Sequence, residues 1–228
     1  MSKKYEEKNK LVDRNKCYKP EEALALLKDT AWAKFTESVD LAAKLNVDLK
    51  KGQTSIRGTV DLPHGSGKKV KVAVITKGDK AAEAEAAGAQ VVGAEDLVDK
   101  ISKGFLDFDV LLATPDMMST VGKLGKMLGT KGLMPNPKSG TVTQDIGKAV
   151  KAFQAGKIEF RMDKGGVVHL LLGKANFLPE HLLANFKAAM EALMHQKPSG
   201  TKGAYFKSAT LSTTMGPGIR LDVREFSQ

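Results

Sequence analysis

The 228-residue sequence contains one cysteine, Cys17, and four histidines. A single cysteine excludes an intrachain disulfide and a zinc site built from a cysteine cluster, and it fits a reducing cytoplasm. The histidines, at positions 64, 169, 181 and 195, form no HExxH motif and have no carboxylate at metal-ligand spacing. We therefore expect no metal ion and no other cofactor.

Long apolar runs are also missing. None approaches the ~20 residues that a membrane-spanning helix requires. The N-terminal string MSKKYEEKNK lacks both the apolar core of a secretion signal and the acid-poor composition of a transit peptide. We interpret it as a short solvated tail, and we expect a cytoplasmic protein without a membrane partner.

The motifs of common enzyme classes are absent too. The string Gly65-Ser66-Gly67-Lys68 suggests a phosphate-binding loop, but the first glycine of the Walker spacing would fall on Leu62, and the string leads into a strand. The strand VKVAVIT is followed by Thr76-Lys77-Gly78-Asp79 instead of a dinucleotide-binding glycine motif. We expect a protein that is not an enzyme. A nucleotide-binding enzyme is the alternative that the fold pattern leaves open.

Positive charge, in contrast, is in excess. The chain has 36 Lys and Arg against 26 Asp and Glu, a net charge of +10, which favours a polyanionic partner such as nucleic acid. Residues 1–68 carry 14 basic and 10 acidic side chains, and residues 159–228 carry 9 and 6. Between them the charge is polarised, because residues 77–116 hold 4 lysines against 9 acids, whereas residues 117–158 hold 7 against 1. One part of the central segment should repel a polyanion and the other attract it.

The first half of the chain has two styles of hydrophobic pattern. Pro20 begins a predicted helix, Val39 to Asp48 alternate as a half-buried strand, and residues 56–62 predict a second strand. From Val70 onward strands alternate with helices, with Asp79 as a candidate helix cap. This alternation predicts a parallel sheet covered by helices.

The second half changes style again. The glycine- and lysine-rich stretch after Thr114-Pro115 predicts a long ordered loop outside the core, followed by a helix from about residue 144 to 154. Beyond Gly156, the strings KIEFRMD and VVHLLLG predict a hairpin. Residues 180–196 then predict a long amphipathic helix, and two strands finish the chain.

These blocks predict an α/β protein of two domains. Residues 1–68 plus 159–228 form a discontinuous terminal α+β domain, and residues 69–158 form an inserted Rossmann-like domain with a parallel sheet. The terminal domain carries the larger share of the positive charge, so we expect it to bind the polyanion.

One of the last strands has a polar face. With the period of two that a strand imposes, its hydroxyl side chains fall on one side: Ser208, Thr210, Ser212 and Thr214. Such a face can donate to and accept from phosphates, sugars and base edges, although it also fits a strand that only faces solvent. The following Met-Gly-Pro-Gly lets the backbone turn close to whatever the face contacts.

Five strings follow one another along nearly the whole chain: KFTESVDLAAKLNVD (34–48), IRGTVDLPHGSGK (56–68), MLGTKGLMPNPKSGTV (127–142), KIEFRMDKGGVVH (157–169) and STTMGPGIRL (212–221). In this order they resemble the L-one family of large-subunit ribosomal proteins, which belongs to the mobile stalk beside the tRNA exit site. Two positions depart from that family: Thr130-Lys131 replaces its usual Pro-Arg or Pro-Lys, and Thr36 replaces a frequent Asp.

The resemblance implies an rRNA site where the Lys-Phe entrance to the first long strand meets the Thr-Met-Gly end of the hydroxyl strand. The implied rRNA-binding residues are Lys34, Phe35, Glu37, Ser38, Asp163, Lys164, Ser208, Thr214, Met215 and Gly216. A further hypothesis gives the basic part of the central segment a transient contact with tRNA or rRNA through Lys123, Lys126 and Lys131.

The resemblance also implies a role and partners. The protein would be a structural constituent of the large ribosomal subunit and a monomer within the ribosome. It would bind the large-subunit rRNA stalk, contact exit-site tRNA transiently and assist its release. It would also repress translation of its own operon by binding an mRNA element that mimics the rRNA site.

Overall fold

The computed structural model describes residues 3–47, 56–78, 80–198, 201 and 203–226, so the candidate helix cap Asp79 lies outside the described residues. The strands are β1 Ser38–Leu45, β2 Arg57–Asp61, β3 Val72–Ile75, β4 Val91–Gly93, β5 Val110–Ala113, β6 Lys157–Arg161, β7 Val167–Lys174, β8 Phe206–Thr213 and β9 Ile219–Leu221. The helices are α1 Lys3–Asn9, α2 Pro20–Thr30, α3 Lys80–Ala86, α4 Glu95–Ser102, α5 Met118–Gly122, α6 Gly125–Lys131, α7 Ile146–Ala155 and α8 Pro179–His195.

The chain divides into two compact units. One, the terminal unit, consists of Met1–Gly67 and Ile158–Gln228; the other, the inserted unit, is Lys68–Lys157. The terminal unit contains an antiparallel sheet and the inserted unit a parallel one. The predicted α/β class is therefore confirmed.

The terminal unit is built on a four-stranded antiparallel sheet of order β7-β1-β8-β9. Alternation puts Val39, Leu41, Ala43 and Leu45 of β1 on the buried face, where α2 and α8 pack. The opposite face, which we call the open face, carries only exposed or half-buried side chains. These are Ser38, Asp40, Ala42 and Lys44 of β1, Val167, His169 and Leu171 of β7, Ser208, Thr210 and Ser212 of β8, and Arg220 of β9.

The predicted hairpin of β6 and β7 is wrong. β6 pairs with β2 in a separate two-stranded sheet, while β7 pairs with β1 along Lys174 to Val167, and the two strands share only a bridge between Met162 and Val168. The intervening turn is closed by Asp163, whose carboxylate accepts from the N–H groups of Gly165 and Val167 at 2.8 and 2.7 Å. After the turn, β7 pairs with β1 over seven residue pairs, whereas only the single bridge joins it to the end of β6.

The inserted unit has a three-stranded parallel sheet of order β4-β3-β5. Its central strand β3 is buried at all four positions, as expected for a strand covered on both faces. Residues of α4, α5 and α6 pack on one side of the sheet, and residues of α3 and α7 pack on the other. The predicted alternation of strands and helices is confirmed.

The stretch after Thr114-Pro115 is the predicted loop only in its second part, from Gly132 to Asp145. Its first part forms α5 and α6, and Met117, Val121, Leu124 and Leu128 are buried in the core of the inserted unit. Their spacing of four, three and four residues is that of one helix face. The glycines between these residues lower the helix propensity of the segment, so its composition favoured a loop although the apolar spacing is helical.

The N-terminal segment is likewise more ordered than the predicted tail. Residues Lys3–Asn9 form helix α1, which buries no side chain. Lys8 Nζ donates to the carbonyl oxygen of Asp29 at 2.6 Å, which ties α1 to the C-terminal end of α2. In the part of the chain that the structure describes, no helix combines the length and apolarity needed to cross a membrane.

Candidate nucleic-acid interface

Two segments that are far apart in the sequence meet at the start of β1. The N–H of Ser38 donates to the Thr214 hydroxyl at 2.9 Å, and the N–H of Thr214 donates to the Ser38 carbonyl at 3.1 Å. Strand β7 also reaches this point, where Lys174 pairs with Ser38 and its Nζ donates to Ser38 Oγ at 2.8 Å. Gly216 follows at a close approach, where an added Cβ would run into the Thr213 hydroxyl. The Lys-Phe segment and the Thr-Met-Gly segment thus form one surface.

Glu37 connects the two segments of this surface by hydrogen bonds to its buried carboxylate. Its side chain is 1% exposed. One carboxylate oxygen accepts from the N–H groups of Trp32 and Ala33 at 2.8 and 2.7 Å, and the other accepts from the N–H of Met215 at 3.0 Å. The carboxylate of Glu37 is therefore enclosed, and it fixes the two segments that carry the exposed residues.

The charge on Glu37 is stabilised by these hydrogen bonds. Burial alone would raise the pKa of Glu37, but the N–H groups of Ala33, Met215 and Trp32 outweigh burial and hold its pKa below the ordinary value of 4.5. Glu37 is therefore ionised at neutral pH. Charge-assisted hydrogen bonds of this kind are stronger than neutral ones, so the arrangement is rigid.

Around Glu37, the side chains at the surface project to solvent. Phe35 is 56% exposed and Met215 is 44% exposed, which is unusual for large apolar side chains, and Lys34 and Thr214 are exposed beside them. An exposed aromatic beside a lysine can stack on a base while the cation meets a phosphate. We call this group the entrance cluster: Lys34, Phe35, Glu37, Ser38, Thr214, Met215 and Gly216.

The remaining implied residues lie at the other end of β1. Ser208 of β8 pairs with Lys44, which pairs on its other side with Val167 of β7, directly after the turn that contains Asp163 and Lys164. Ser38 and Lys44 are six residue steps apart along the strand, a distance of about 20 Å. We call Asp163, Lys164 and Ser208 the far cluster. The implied site residues thus form two clusters at opposite ends of one sheet.

The open face connects the two clusters. Between them run the hydroxyls of Thr210 and Ser212, and the neighbouring strands contribute Lys44, His169 and Arg220, all exposed. Sequence reasoning missed these three basic side chains. Strand parity shows which residues of one strand share a side. It does not show which side of a neighbouring strand lies on the same face of the sheet, and the register of β1 with β7 and β8 was needed to place Lys44 and His169 beside the hydroxyls.

Asp40 is the acidic exception on the open face. Burial raises its pKa, and the nearby Lys174 and His169 only partly offset that effect. Its half-buried carboxylate lies in the row of the sheet that contains Ser212 and Leu171. Basic and hydroxyl groups therefore dominate the exposed part of this face.

The inserted unit carries its own basic surface. Lys123 follows α5 and Lys126 and Lys131 lie on α6, all three exposed, and we call them the lysine cluster. Thr130, one of the departures from the resembled family, donates its hydroxyl to the Met127 carbonyl at 2.9 Å and continues the helix to Lys131. Gly132 then ends the helix with a φ of 72°.

A crevice of about 420 Å³ lies where β3 and β4 of the inserted unit end, the place where open α/β sheets bind nucleotides. Its lining includes the carboxylates of Glu85, Glu95 and Asp96. The cation of Lys77 is engaged, since its Nζ lies 2.7 Å from Glu95, and this hydrogen bond lowers the pKa of Glu95. Carboxylates at this position repel phosphates, which argues against the nucleotide-binding alternative.

Comparison with known proteins identifies the family of the chain. A family model described as the Ribosomal protein L1p/L10e family matches residues 27–217. The chain is 54% identical, over its whole length and 97% of the relative's, to a large ribosomal subunit protein uL1 of Fervidobacterium nodosum. It is 56% identical, over its whole length and 98% of the relative's, to a large ribosomal subunit protein uL1 of Thermosipho africanus. The chain belongs to the Ribosomal protein L1p/L10e family.

Proposed function

We propose that this protein is a non-catalytic constituent of the large ribosomal subunit that binds large-subunit rRNA of the mobile stalk through the open face of its terminal unit. The RNA runs from the entrance cluster to the far cluster, across the hydroxyl row. Shape, hydroxyl and backbone contacts supply most of the recognition, and lysines add contacts to phosphates. The protein acts in the cytoplasm, as a monomer on the ribosome.

One observation supports this proposal: a buried, ionised carboxylate joins, through backbone N–H groups, the segment that carries an exposed phenylalanine to the segment that carries an exposed methionine, at the end of a polar sheet face. Two large apolar side chains exposed on segments joined by one carboxylate suit a contact surface, and solubility alone does not require them. A stable RNA complex benefits from a site whose backbone is already fixed, because less conformational entropy is lost on binding. The names of the relatives point to the large ribosomal subunit as the source of that RNA.

Substitutions in the entrance cluster test the proposal. Met215→Asp places a carboxylate against the RNA backbone, and Thr214→Val removes the hydroxyl that binds the Ser38 N–H. We expect Met215→Asp to weaken binding to a stalk rRNA fragment by at least tenfold in a calorimetric titration, and Thr214→Val to weaken it by a smaller factor. Circular dichroism should remain that of the wild type, because both side chains are exposed.

Gln196→Asp is a matched control. It adds the same charge to the terminal unit at the end of α8, the helix that packs on the buried face of the sheet. We expect it to bind stalk rRNA almost as well as the wild type. Equal affinity of wild type, Met215→Asp and Gln196→Asp would refute the assignment of the rRNA site to the entrance cluster.

We further propose two uses of RNA beyond the stalk. The lysine cluster contacts exit-site tRNA transiently and assists its release, and the open face binds an element of the protein's own operon mRNA and represses its translation. Competition between the stalk rRNA fragment and that mRNA for the purified protein tests the second use. Simultaneous binding of both RNAs would contradict a shared site.

A further inference from the structure

Helix α1 is fixed beside the entrance cluster although it contributes no buried side chain. Lys8 binds the Asp29 carbonyl at the end of α2, and Lys4 Nζ lies 5.7 Å from the centre of the Trp32 ring. A lysine at that distance over an indole makes a cation–π contact. Two contacts on successive turns of α1 therefore orient the helix toward the loop that begins at Trp32.

Trp32 belongs to the network of the entrance cluster. Its indole N–H donates to the Met215 carbonyl at 3.2 Å, and its backbone N–H donates to the Glu37 carboxylate at 2.8 Å. The indole is half-exposed and lies three residues before Phe35. The surface around Glu37 thus presents a second aromatic ring. Direct contacts connect Lys4 to Trp32 and Trp32 to Met215.

The chemistry of this extension matches that of an RNA site. An indole face stacks on bases of any identity, and a lysine held near it meets the adjoining phosphate. The first ten residues carry four lysines, Lys3, Lys4, Lys8 and Lys10, against Glu6 and Glu7, so α1 brings net positive charge. If α1 served only to cover the end of α2, we would expect apolar side chains to be buried there, and none of its residues is buried.

We propose that α1 is an arm of the RNA site, in which Lys4 contacts a phosphate and the Trp32 indole contacts the adjoining nucleotide. This inference rests on the proposed binding of rRNA at the entrance cluster and extends it by two residues and one helix. Trp32 is the single tryptophan of the chain, so its emission reports on this position alone.

Salt dependence of binding tests the role of Lys4. We compare the full-length wild type with Lys4→Gln, and with Lys187→Gln as the matched control on the exposed side of α8. Loss of one phosphate contact should reduce the slope of log K against log salt by about 0.7 to 0.9 and lower affinity for a stalk rRNA fragment about three- to tenfold. Lys187→Gln should leave both values unchanged. Identical slopes for all three proteins would overturn the assignment of Lys4.

Tryptophan fluorescence tests the arm without a substitution. Titration of the wild type with the stalk rRNA fragment should quench Trp32 emission and reduce the quenching of the remaining emission by acrylamide. The RNA concentration at half of the fluorescence change should equal the concentration that retards half of the protein in a gel. Retarded protein with unchanged emission and unchanged acrylamide access would overturn the arm while the proposed function stands. A wild-type protein that fails to bind the fragment at all would overturn the proposed function and the arm together.

Discussion

The entrance cluster of the terminal unit and the lysine cluster of the inserted unit are both exposed, but they are fixed in different ways. At the entrance cluster, three backbone N–H groups from two distant segments bind one buried carboxylate. In the lysine cluster the charges lie at the ends of long side chains, one directly after α5 and two on α6. The side chains that anchor these helices are apolar: Val121, Leu124 and Leu128. One surface has a defined shape, and the other has mainly a charge.

This difference indicates different kinds of RNA contact. A surface whose backbone is already ordered loses little entropy on binding, so it suits a long-lived complex with one RNA shape. Flexible lysines attract any polyanion, and salt weakens that attraction. We therefore assign stable rRNA binding to the terminal unit and transient contact to the inserted unit.

Substitution of Glu37 should break the comparison most strongly. In Glu37→Gln the amide NH₂ faces one of the bound N–H groups, so at least one charge-assisted hydrogen bond is lost inside the structure. We expect a loss of about 2 kcal/mol in the free energy of unfolding and a weakening of rRNA binding by roughly 30-fold. Chemical denaturation and titration with the stalk fragment measure the two effects.

Glu191→Gln provides the control, because Glu191 is an exposed acid on α8 in the same unit. It should change neither quantity. If Glu37→Gln bound rRNA as tightly as Glu191→Gln, the entrance cluster would not depend on its buried carboxylate, and the contrast with the lysine cluster would disappear.

The pH dependence of stability sharpens the same point. Because the folded-state pKa of Glu37 is below its ordinary value of 4.5, ionised Glu37 stabilises the fold above that pH. This contribution is lost as the pH falls through the lowered folded-state pKa. The stability difference between wild type and Glu37→Gln, about 2 kcal/mol at pH 7, should therefore shrink in acid. A difference that stayed constant from pH 7 to strong acid would contradict the ionised carboxylate.

Removal of the lysine cluster should affect rRNA binding much less. We expect the triple variant Lys123→Gln, Lys126→Gln, Lys131→Gln to bind the stalk fragment within about threefold of the wild type at physiological salt, since it loses only screened contacts. On ribosomes that carry this variant, the rate at which exit-site tRNA dissociates should change, as measured by stopped-flow fluorescence. A large loss of rRNA affinity would move the main site into the inserted unit.

The smallest expected effect is on the stability of the inserted unit. An added Cβ at Gly129 on α6 would meet no described atom within 4 Å, and the backbone there is helical. Gly129→Ala should therefore raise the free energy of unfolding by about 0.5–1 kcal/mol. Thermal unfolding of the two proteins measures this difference. A destabilised variant would indicate that α6 is not helical at this position.

Local patterns in the sequence predicted the elements that depend on local chemistry. Pro20 begins α2, Gly156 follows the end of α7, and the alternation from Val39 to Leu45 gives the buried face of β1. The parity of the hydroxyls also separates the two sides of β8, since Ser208 is exposed and Thr210 and Ser212 are half-buried, whereas Ala209 and Leu211 are buried.

Apart from α5 and α6, where glycines masked a local helical pattern, the failures share a physical cause, because each depends on partners far along the chain. The separation of β6 from β7 is decided by the β1 ladder, and the order of α1 depends on Asp29 and Trp32. Glu37 looks like any surface acid in the sequence, since nothing nearby shows that Met215 will donate to it. The split into entrance and far clusters needs the register of β1 against β8, which the sequence pattern does not contain.

Crosslinking of a stalk rRNA fragment to the full-length protein, followed by mapping of the crosslinked residues, tests the central claim most directly. Binding along the open face predicts crosslinks at Phe35 and Met215 at one end and near Lys164 at the other, with few in the inserted unit. Crosslinks confined to the segment from Lys123 to Lys138 would contradict the assignment of rRNA binding to the terminal unit.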